Sequence, residues 1–244
     1  MTAARPRPAF YALRPGGWRD YVTLLHPPYT LWHLSYVAIG AALAPHFRSG
    51  LLALTALAFF LGLGIGAHAL DELHGRPLET RIPVWALAAL AGGTIAAAAG
   101  IGVGVAVARD LWLLPFVAFG SFVVVAYNLE LFGGRFHSDS WFALAWGAFP
   151  LLTAYFASAR TIAPEAALAA AFAALLSHAQ RLLSTPVREV RRRVTGITGT
   201  IVLDDGGTRP VDAATLIGAP EQALRVLVAA VVTLAAALVT FRVT

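Results

Sequence analysis

Three residues near the end of one apolar stretch have the types and the spacing of a reactive site. His68, Asp71 and Glu72 stand at positions i, i+3 and i+4, so a helix places them on one face. Imidazole and carboxylate groups bind metals and transfer protons. Because ionisable groups are costly in lipid, these three should face a cavity or the aqueous surface. We predict a site here, with an ordinary polar helix end as the alternative.

A second polar cluster lies where a later apolar stretch ends. Tyr127 and Asn128 close that stretch, and Glu130 and His137 follow in a loop with two adjacent glycines. These residue types suit metal ligation or the binding of a polar head group, and a solvated turn is the alternative. Asp139, at the end of the loop, is predicted to cap the next helix.

The third cluster begins at His178, and Arg181 lies on the same helical face. Arg188 follows seven residues later, in the predicted loop, and adds a further cation. Snorkelling of Arg181 at a membrane interface is the alternative interpretation. The run 191–193 is predicted to contact anionic lipid head groups, and binding of a diphosphate is the sharper alternative.

The composition places these clusters in a membrane protein. The chain of 244 residues is 58% hydrophobic and 13% charged, which excludes a soluble globular enzyme and a disordered chain. The absence of cysteine excludes disulfides, thiolate metal sites and iron–sulfur clusters. All 18 basic residues are arginine, so no lysine Schiff base is available. In so apolar a chain the net charge of +5 indicates a cytoplasmic membrane edge rather than nucleic acid.

Apolar stretches of about 20 residues predict membrane-spanning helices. Seven qualify or nearly qualify: 22–45, 50–70, 83–107, 111–129, 141–159, 164–184 and 222–241. The first is the weakest, because Trp32, His33 and Tyr36 interrupt it. We therefore predict an all-α integral membrane protein of about seven transmembrane helices, with residues 1–244 forming one membrane domain.

The distribution of arginine predicts the orientation. With the N-terminus inside, 14 arginines fall on the cytoplasmic side and four outside, so the C-terminus is predicted outside the cell membrane. Residues 1–21 then form a cytoplasmic arm and 185–221 a cytoplasmic loop between helices 6 and 7. Within that loop the turn signal 204–207 predicts a small β-hairpin. Asp212 is predicted to cap a short helix before the last span.

Five segments together resemble the UbiA-type prenyltransferase superfamily. They are Asp20-Tyr21 through Leu25-His26-Pro27, Asp71 through Arg76-Pro77-Leu78, Tyr127-Asn128, Ala145 through Pro150, and His178-Ala179-Gln180. The resemblance implies a UbiA-like helical bundle. It also implies an enzyme that binds an isoprenyl diphosphate through magnesium at the cytoplasmic ends of its second and sixth helices. The isoprenyl chain is then attached to a lipophilic acceptor that enters from the bilayer.

The resemblance also implies roles for particular residues. Catalysis would fall to four side chains: His68, Asp71, Glu72 and His178. Substrate binding would fall to five: Arg76, Tyr127, Asn128, Arg181 and Arg188. The family's first motif, Asn-Asp-x-x-Asp-x-x-x-Asp, falls on Ala67, His68, Asp71 and Gly75, and the leading aspartate of the second falls on His178.

Histidine in place of aspartate changes the expected metal. Magnesium prefers carboxylate oxygens, whereas imidazole nitrogens favour iron, zinc or another transition metal. The candidate ligands are His68, Asp71, Glu72, Glu130, His137 and His178. Three functions stay open: prenyl transfer in a cavity open to the cytoplasm, a His/carboxylate metalloenzyme acting on a lipid, and a non-catalytic lipid-binding or partner subunit.

Overall fold

Long apolar helices make up most of the chain, for which a computed structural model describes residues 7–244. In chain order the elements are α1 (Trp18–Leu24), α2 (Pro27–Leu43), α3 (Ser49–Gly75), α4 (Val84–Arg109), α5 (Leu111–Asn128), α6 (Asp139–Ala159), α7 (Pro164–Arg193), β1 (Thr200–Val202), β2 (Thr208–Pro210) and α8 (Ala213–Val243). Two of the helices contain a π-helical segment, Phe60–Ala67 in α3 and Ala143–Ala148 in α6.

Six helices within residues 7–244, α3 to α8, are long and apolar enough to cross a membrane. The prediction of an all-α membrane protein is confirmed at this level. The stretch 22–45 forms a shorter helix than predicted. Helix α2 has 17 residues, because two prolines stand at its start and the chain becomes extended at Ala44.

Helix α2 is the central element of the bundle. Trp32 and Tyr36 on this helix are fully buried, and they pack against Leu151 of α6 and Leu224 of α8. The indole N–H of Trp32 donates to the Tyr36 hydroxyl, which also accepts from Ser177 of α7. The polar atoms of both aromatic rings are therefore satisfied inside an apolar core.

Two loop predictions are confirmed. Strands β1 and β2 pair in antiparallel register, with Ile201 opposite Arg209, and form the expected hairpin. The Asp212 carboxylate accepts from the Thr215 backbone N–H, and the Thr215 hydroxyl lies 3.3 Å from the Asp212 backbone N–H, completing a capping box.

Three predicted boundaries were wrong. Helix α7 continues through Pro186 to Arg193, and α8 begins at Ala213 and continues through Pro220, so the loop 185–221 is much shorter than predicted. Asp212 therefore caps the last span itself rather than a separate short helix. Ser138, and not Asp139, caps α6, since its hydroxyl accepts from the Trp141 N–H. The predicted arm 1–21 overlaps α1, and its first six residues lie outside the described part.

Glycine allows α6 to approach two neighbouring helices. A Cβ atom on Gly147 would lie 2.5 Å from the Ala173 carbonyl oxygen of α7. A Cβ atom on Gly40 of α2 would overlap the carbonyl oxygen of Leu151. Both partners are helix backbone, which moves less readily than a side chain, so these contacts require glycine.

The substitution Gly40→Ala should therefore destabilise the bundle. We expect the free energy of unfolding to fall by about 2 kcal/mol, because the added methyl group overpacks the contact between α2 and α6. The measurement is the unfolding transition of purified protein in detergent. Gly104→Ala is the matched control, since no atom lies within 4 Å of its added Cβ. An equal transition for the two variants would contradict this account of the packing.

Candidate functional site

A cavity, here called the polar cavity, lies at one end of the bundle. It is bounded by the start of α2, the ends of α3, α5 and α7, the start of α6, and the segment before α1. Its polar and aromatic lining includes Tyr11, His26, Tyr29, His33, His68, Asp71, Tyr127, Asn128, His137, Trp146, Gln180, Arg181, Arg188 and Arg192. Alternating helix directions thus bring the three polar clusters of the sequence to one end.

Backbone carbonyls orient three of the four histidines in the polar cavity. The Nδ1 atoms of His33, His68 and His137 lie 2.8–3.0 Å from the carbonyl oxygens of Trp146, Gly64 and Tyr127, respectively. Since a carbonyl oxygen only accepts, each Nδ1 carries the proton and each Nε2 is left as an acceptor.

His26 differs from the other three histidines. Its Nδ1 lies 2.9 Å from the hydroxyl of Tyr11, and its ring stacks on that of His68 with centroids 4.0 Å apart. It also has φ 45° and ψ 55°, a left-handed conformation that is unusual for a residue other than glycine.

The arginines give the polar cavity its positive charge. Arg181 donates to Asp139 at 2.8 Å and lies over the Phe142 ring. Arg188 and Arg192 have no carboxylate within 4.0 Å among residues 7–244, and residues 1–6 contain neither aspartate nor glutamate. Two cations therefore line the cavity without an anionic partner.

The adjacent carboxylates Asp71 and Glu72 have different environments. Asp71 lies on the wall of the polar cavity. Glu72 is fully buried beside it and accepts hydrogen bonds from the backbone N–H groups of Leu78 and Thr80 and from the Thr80 hydroxyl. Its carboxylate holds the loop after α3 against that helix.

The structure brings together seven of the residues selected from the sequence and leaves four outside the wall. On the wall of the polar cavity are His68, Asp71, Tyr127, Asn128, His137, Arg181 and Arg188. Outside it are Glu72, Arg76, Glu130 and His178. Arg76 donates to the carbonyls of Thr80 and Ile82, so it holds the same loop as Glu72. Glu130 is exposed, 3.8 Å from His137 Nδ1.

Sequence reasoning left several lining residues out of the site. Tyr11 and Arg192 lie in arginine-rich segments that were interpreted as topology and lipid contacts, and Gln180 lies next to a selected residue. His26 lies in the first predicted span and in a resembling segment, and neither feature marks it as a site residue. Its signal is the His-Pro-Pro sequence, because the prolines that begin α2 leave the preceding residue at the N-cap, outside the helix.

A second cavity, here called the apolar cavity, begins where the polar cavity ends. It lies between α3, α4, α5 and α6, and its lining is almost entirely aliphatic and aromatic. Trp146 lines both cavities. Its ring lies 4.4 Å from that of Tyr127 and 5.6 Å from that of Phe142. An aromatic partition therefore separates a cationic compartment from an oily one.

Three buried polar atoms on the wall of the polar cavity have no hydrogen-bond partner in the described chain. They are His26 Nε2, Tyr127 Oη and Gln180 Oε1. An unpaired polar group in a protein interior costs about 1–3 kcal/mol. Such groups on one wall are positions where water or a polar ligand can bind.

Residues 7–244 contain no group of three or more His, Asp or Glu arranged to hold a metal ion. Comparison with protein-family models, curated proteins and solved structures finds no match to this chain. The resemblance to the UbiA-type superfamily and the expectation of a metal thus remain predictions from the sequence. The fold and the two cavities carry the functional argument.

Asp71→Ala and Glu72→Ala should lower the stability by very different amounts, although the residues are neighbours. Removing the Glu72 carboxylate leaves buried donors unpaired, and we expect the free energy of unfolding to fall by about 3 kcal/mol or more. Asp71 makes no side-chain hydrogen bond within residues 7–244, so its removal should cost less than about 1 kcal/mol. Thermal unfolding in detergent compares the two. Similar losses would contradict a structural role for Glu72 alone.

Proposed function

We propose that this protein is a membrane enzyme that binds an isoprenoid-type lipid with an anionic head group and transfers its chain to a lipophilic acceptor. The head group occupies the polar cavity, and the chain occupies the apolar cavity. The observation that carries the proposal is the adjacency of a cationic compartment and an apolar one, which have Trp146 as a common lining residue.

The charge of the polar cavity selects the head group. Arg188 and Arg192 lack carboxylate partners in the described chain, and the only carboxylate on the wall there is Asp71. Guanidinium groups bind phosphate oxygens through paired N–H donors. A phosphate or diphosphate ester neutralises this excess charge, whereas a neutral lipid leaves it buried. With the orientation that the distribution of arginine predicts, this cavity opens on the cytoplasmic side.

The apolar cavity suits a long hydrocarbon chain. Its lining includes Phe59, Phe116 and Phe149, and it lies within the span of the helices that cross the membrane. Burying each methylene group in such a space contributes about 0.8 kcal/mol. A polyisoprenyl chain therefore contributes much of the affinity, and the arginines select the head group.

The wall residues can support the transfer. The bond between the allylic carbon and the diphosphate oxygen breaks, and its electron pair leaves on that oxygen beside Arg181 and Arg188. The rings at the aromatic partition, above all Trp146, face the positive charge that grows on the carbon. The carbon bonds to the acceptor, whose proton passes to the free Nε2 of His68.

Magnesium would supply further neutralisation of the diphosphate. It is usually held by one or two carboxylates together with substrate phosphates, and Asp71 is the residue placed to contribute. His178 is not on the cavity wall, so the alternative of a His/carboxylate transition-metal site rests on the sequence pattern alone.

Arg188→Gln tests the head-group site. Purified protein in nanodiscs should bind farnesyl diphosphate saturably, with Mg²⁺ or with EDTA as separate arms. We expect Arg188→Gln to weaken binding at least about tenfold, the typical effect of losing a charge-assisted hydrogen bond. Arg193→Gln is the control, since Arg193 is exposed on the same helix and lies off the cavity wall. The proposal would be contradicted if the wild type did not bind, or if both variants bound equally well.

Ala98→Trp tests the chain site, because Ala98 lines the apolar cavity and an indole would fill it. We expect affinity for farnesyl diphosphate to fall about tenfold, while affinity for inorganic diphosphate stays unchanged. The neighbouring Ala97→Trp, on an exposed position outside the cavity, should change neither affinity. If both tryptophans act alike, the chain does not occupy this cavity.

A non-catalytic lipid-binding subunit is the second candidate. The observation that favours it is the presence of a single carboxylate, Asp71, on the described wall of the polar cavity. Release of inorganic diphosphate from farnesyl diphosphate in the presence of a phenolic lipid acceptor separates the two functions. Binding without release would favour the subunit, and release that requires His68 would favour the enzyme.

A further inference from the structure

The segment 7–12, here called the strap, closes one side of the polar cavity. Pro8, Phe10 and Tyr11 line the cavity, and Ala9 and Ala12 are buried against the loop after α3. The strap is therefore part of the wall of the polar cavity, even though it precedes the first membrane helix.

Arginines of α7 and α8 hold the strap in place. Arg191 and Arg192 donate to the carbonyl oxygens of Arg7 and Pro8 at 3.2 and 3.3 Å. The guanidinium of Arg225 lies 4.9 Å from the centroid of the Phe10 ring. These contacts fix the position of Tyr11 from two sides of the bundle.

Tyr11 in turn holds His26. The Tyr11 hydroxyl lies 2.9 Å from His26 Nδ1, and the His68 ring stacks on the His26 ring with centroids 4.0 Å apart. His26 is 9% exposed, and its Nε2 is buried on the cavity wall without a partner in the described residues. These two contacts fix the orientation of the ring, and the residue lines the cavity.

The Tyr11 hydroxyl determines which nitrogen of the His26 ring carries the proton. Burial raises the pKa of the Tyr11 hydroxyl well above its ordinary value, so the group keeps its proton. His26 Nδ1 is the one hydrogen-bond partner of that hydroxyl within residues 7–244. When the hydroxyl donates to Nδ1, the proton of the neutral imidazole resides on Nε2. His26 is then the one cavity histidine whose Nε2 is a donor.

We propose that Tyr11 is a positioning residue that holds the His26 Nε2–H in the polar cavity, where it donates a hydrogen bond to the anionic head group. The proposal rests on the proposed function for the identity of the ligand. It adds that the strap is required for binding and that a neutral donor complements the arginines. A tetrahedral phosphate has enough oxygens to accept from both kinds of donor.

The test uses binding of farnesyl diphosphate to the full chain in nanodiscs. We expect Tyr11→Phe to weaken binding about fivefold to tenfold, the effect of losing one oriented hydrogen bond. Tyr155→Phe is the matched control, since it also removes a buried hydroxyl, one that donates to Glu165 away from the cavity. Equal binding by the two variants would overturn this proposal and leave the proposed function standing. A wild type that does not bind would overturn both.

Two substitutions of His26 separate a binding role from a structural one. Asparagine tolerates the left-handed backbone but does not extend to the position of Nε2, so His26→Asn should unfold like wild type and bind about tenfold more weakly. Glutamine places an amide N–H near the position of Nε2, so His26→Gln should retain most of the affinity. Wild-type affinity for His26→Asn would overturn the proposal.

Ring chemical shifts of isotopically labelled histidine test the tautomer without any ligand. The wild type should show His26 with its proton on Nε2 and His68 with its proton on Nδ1. In Tyr11→Phe the His26 signal should lose the pure Nε2–H signature. A wild-type His26 protonated on Nδ1 would contradict the proposal whatever the affinities are.

Discussion

The hydrogen bond from His33 Nδ1 to the Trp146 carbonyl, 2.8 Å long, joins α2, which lines the polar cavity, to α6, which lines both cavities. The carbonyl belongs to a π-helical segment, where the backbone departs from regular α-helical bonding and a carbonyl can be offered to a neighbour. Because His33 lies on the buried helix α2, this bond fixes the rotation of α6 about its axis. The Trp146 ring is thereby held between the polar and the apolar cavity, and each cavity depends on it for a wall.

The absence of water from a bilayer core explains why the polar residues collect at one end of the bundle. A bilayer core offers no water to a charged side chain, so charged groups must lie near a helix end, pair with each other or face a cavity. Glu72 and Arg76 meet this requirement by binding the backbone of one loop. Arg188 and Arg192 meet it by facing the polar cavity. Arg192 also donates to the Pro8 carbonyl, so one side chain contributes both to the packing of the chain and to the charge of the cavity.

Much of this architecture could be predicted from the sequence, since hydropathy locates the spans and turn residues locate the hairpin and its following cap. The end of α7 and the start of α8 could not be predicted, because Pro186 and Pro220 normally signal a helix boundary. Inside a bundle, neighbouring helices compensate for the hydrogen bonds that proline removes. Helical spacing also grouped Glu72 with Asp71. Which of them faces the cavity depends on where the loop 76–82 folds back, and periodicity carries no information about that.

Two kinds of unusual backbone conformation occur beside the polar cavity. His26 is left-handed, the π-helical segment of α3 ends just before His68, and that of α6 contains Trp146. A left-handed conformation costs a residue other than glycine about 1–3 kcal/mol and persists only where surrounding contacts impose it. Here the contacts are the Tyr11 hydroxyl and the stacked His68 ring. Glycine or asparagine would adopt the His26 backbone conformation more readily, so the contacts of the imidazole ring with Tyr11 and His68 are what offset its strain.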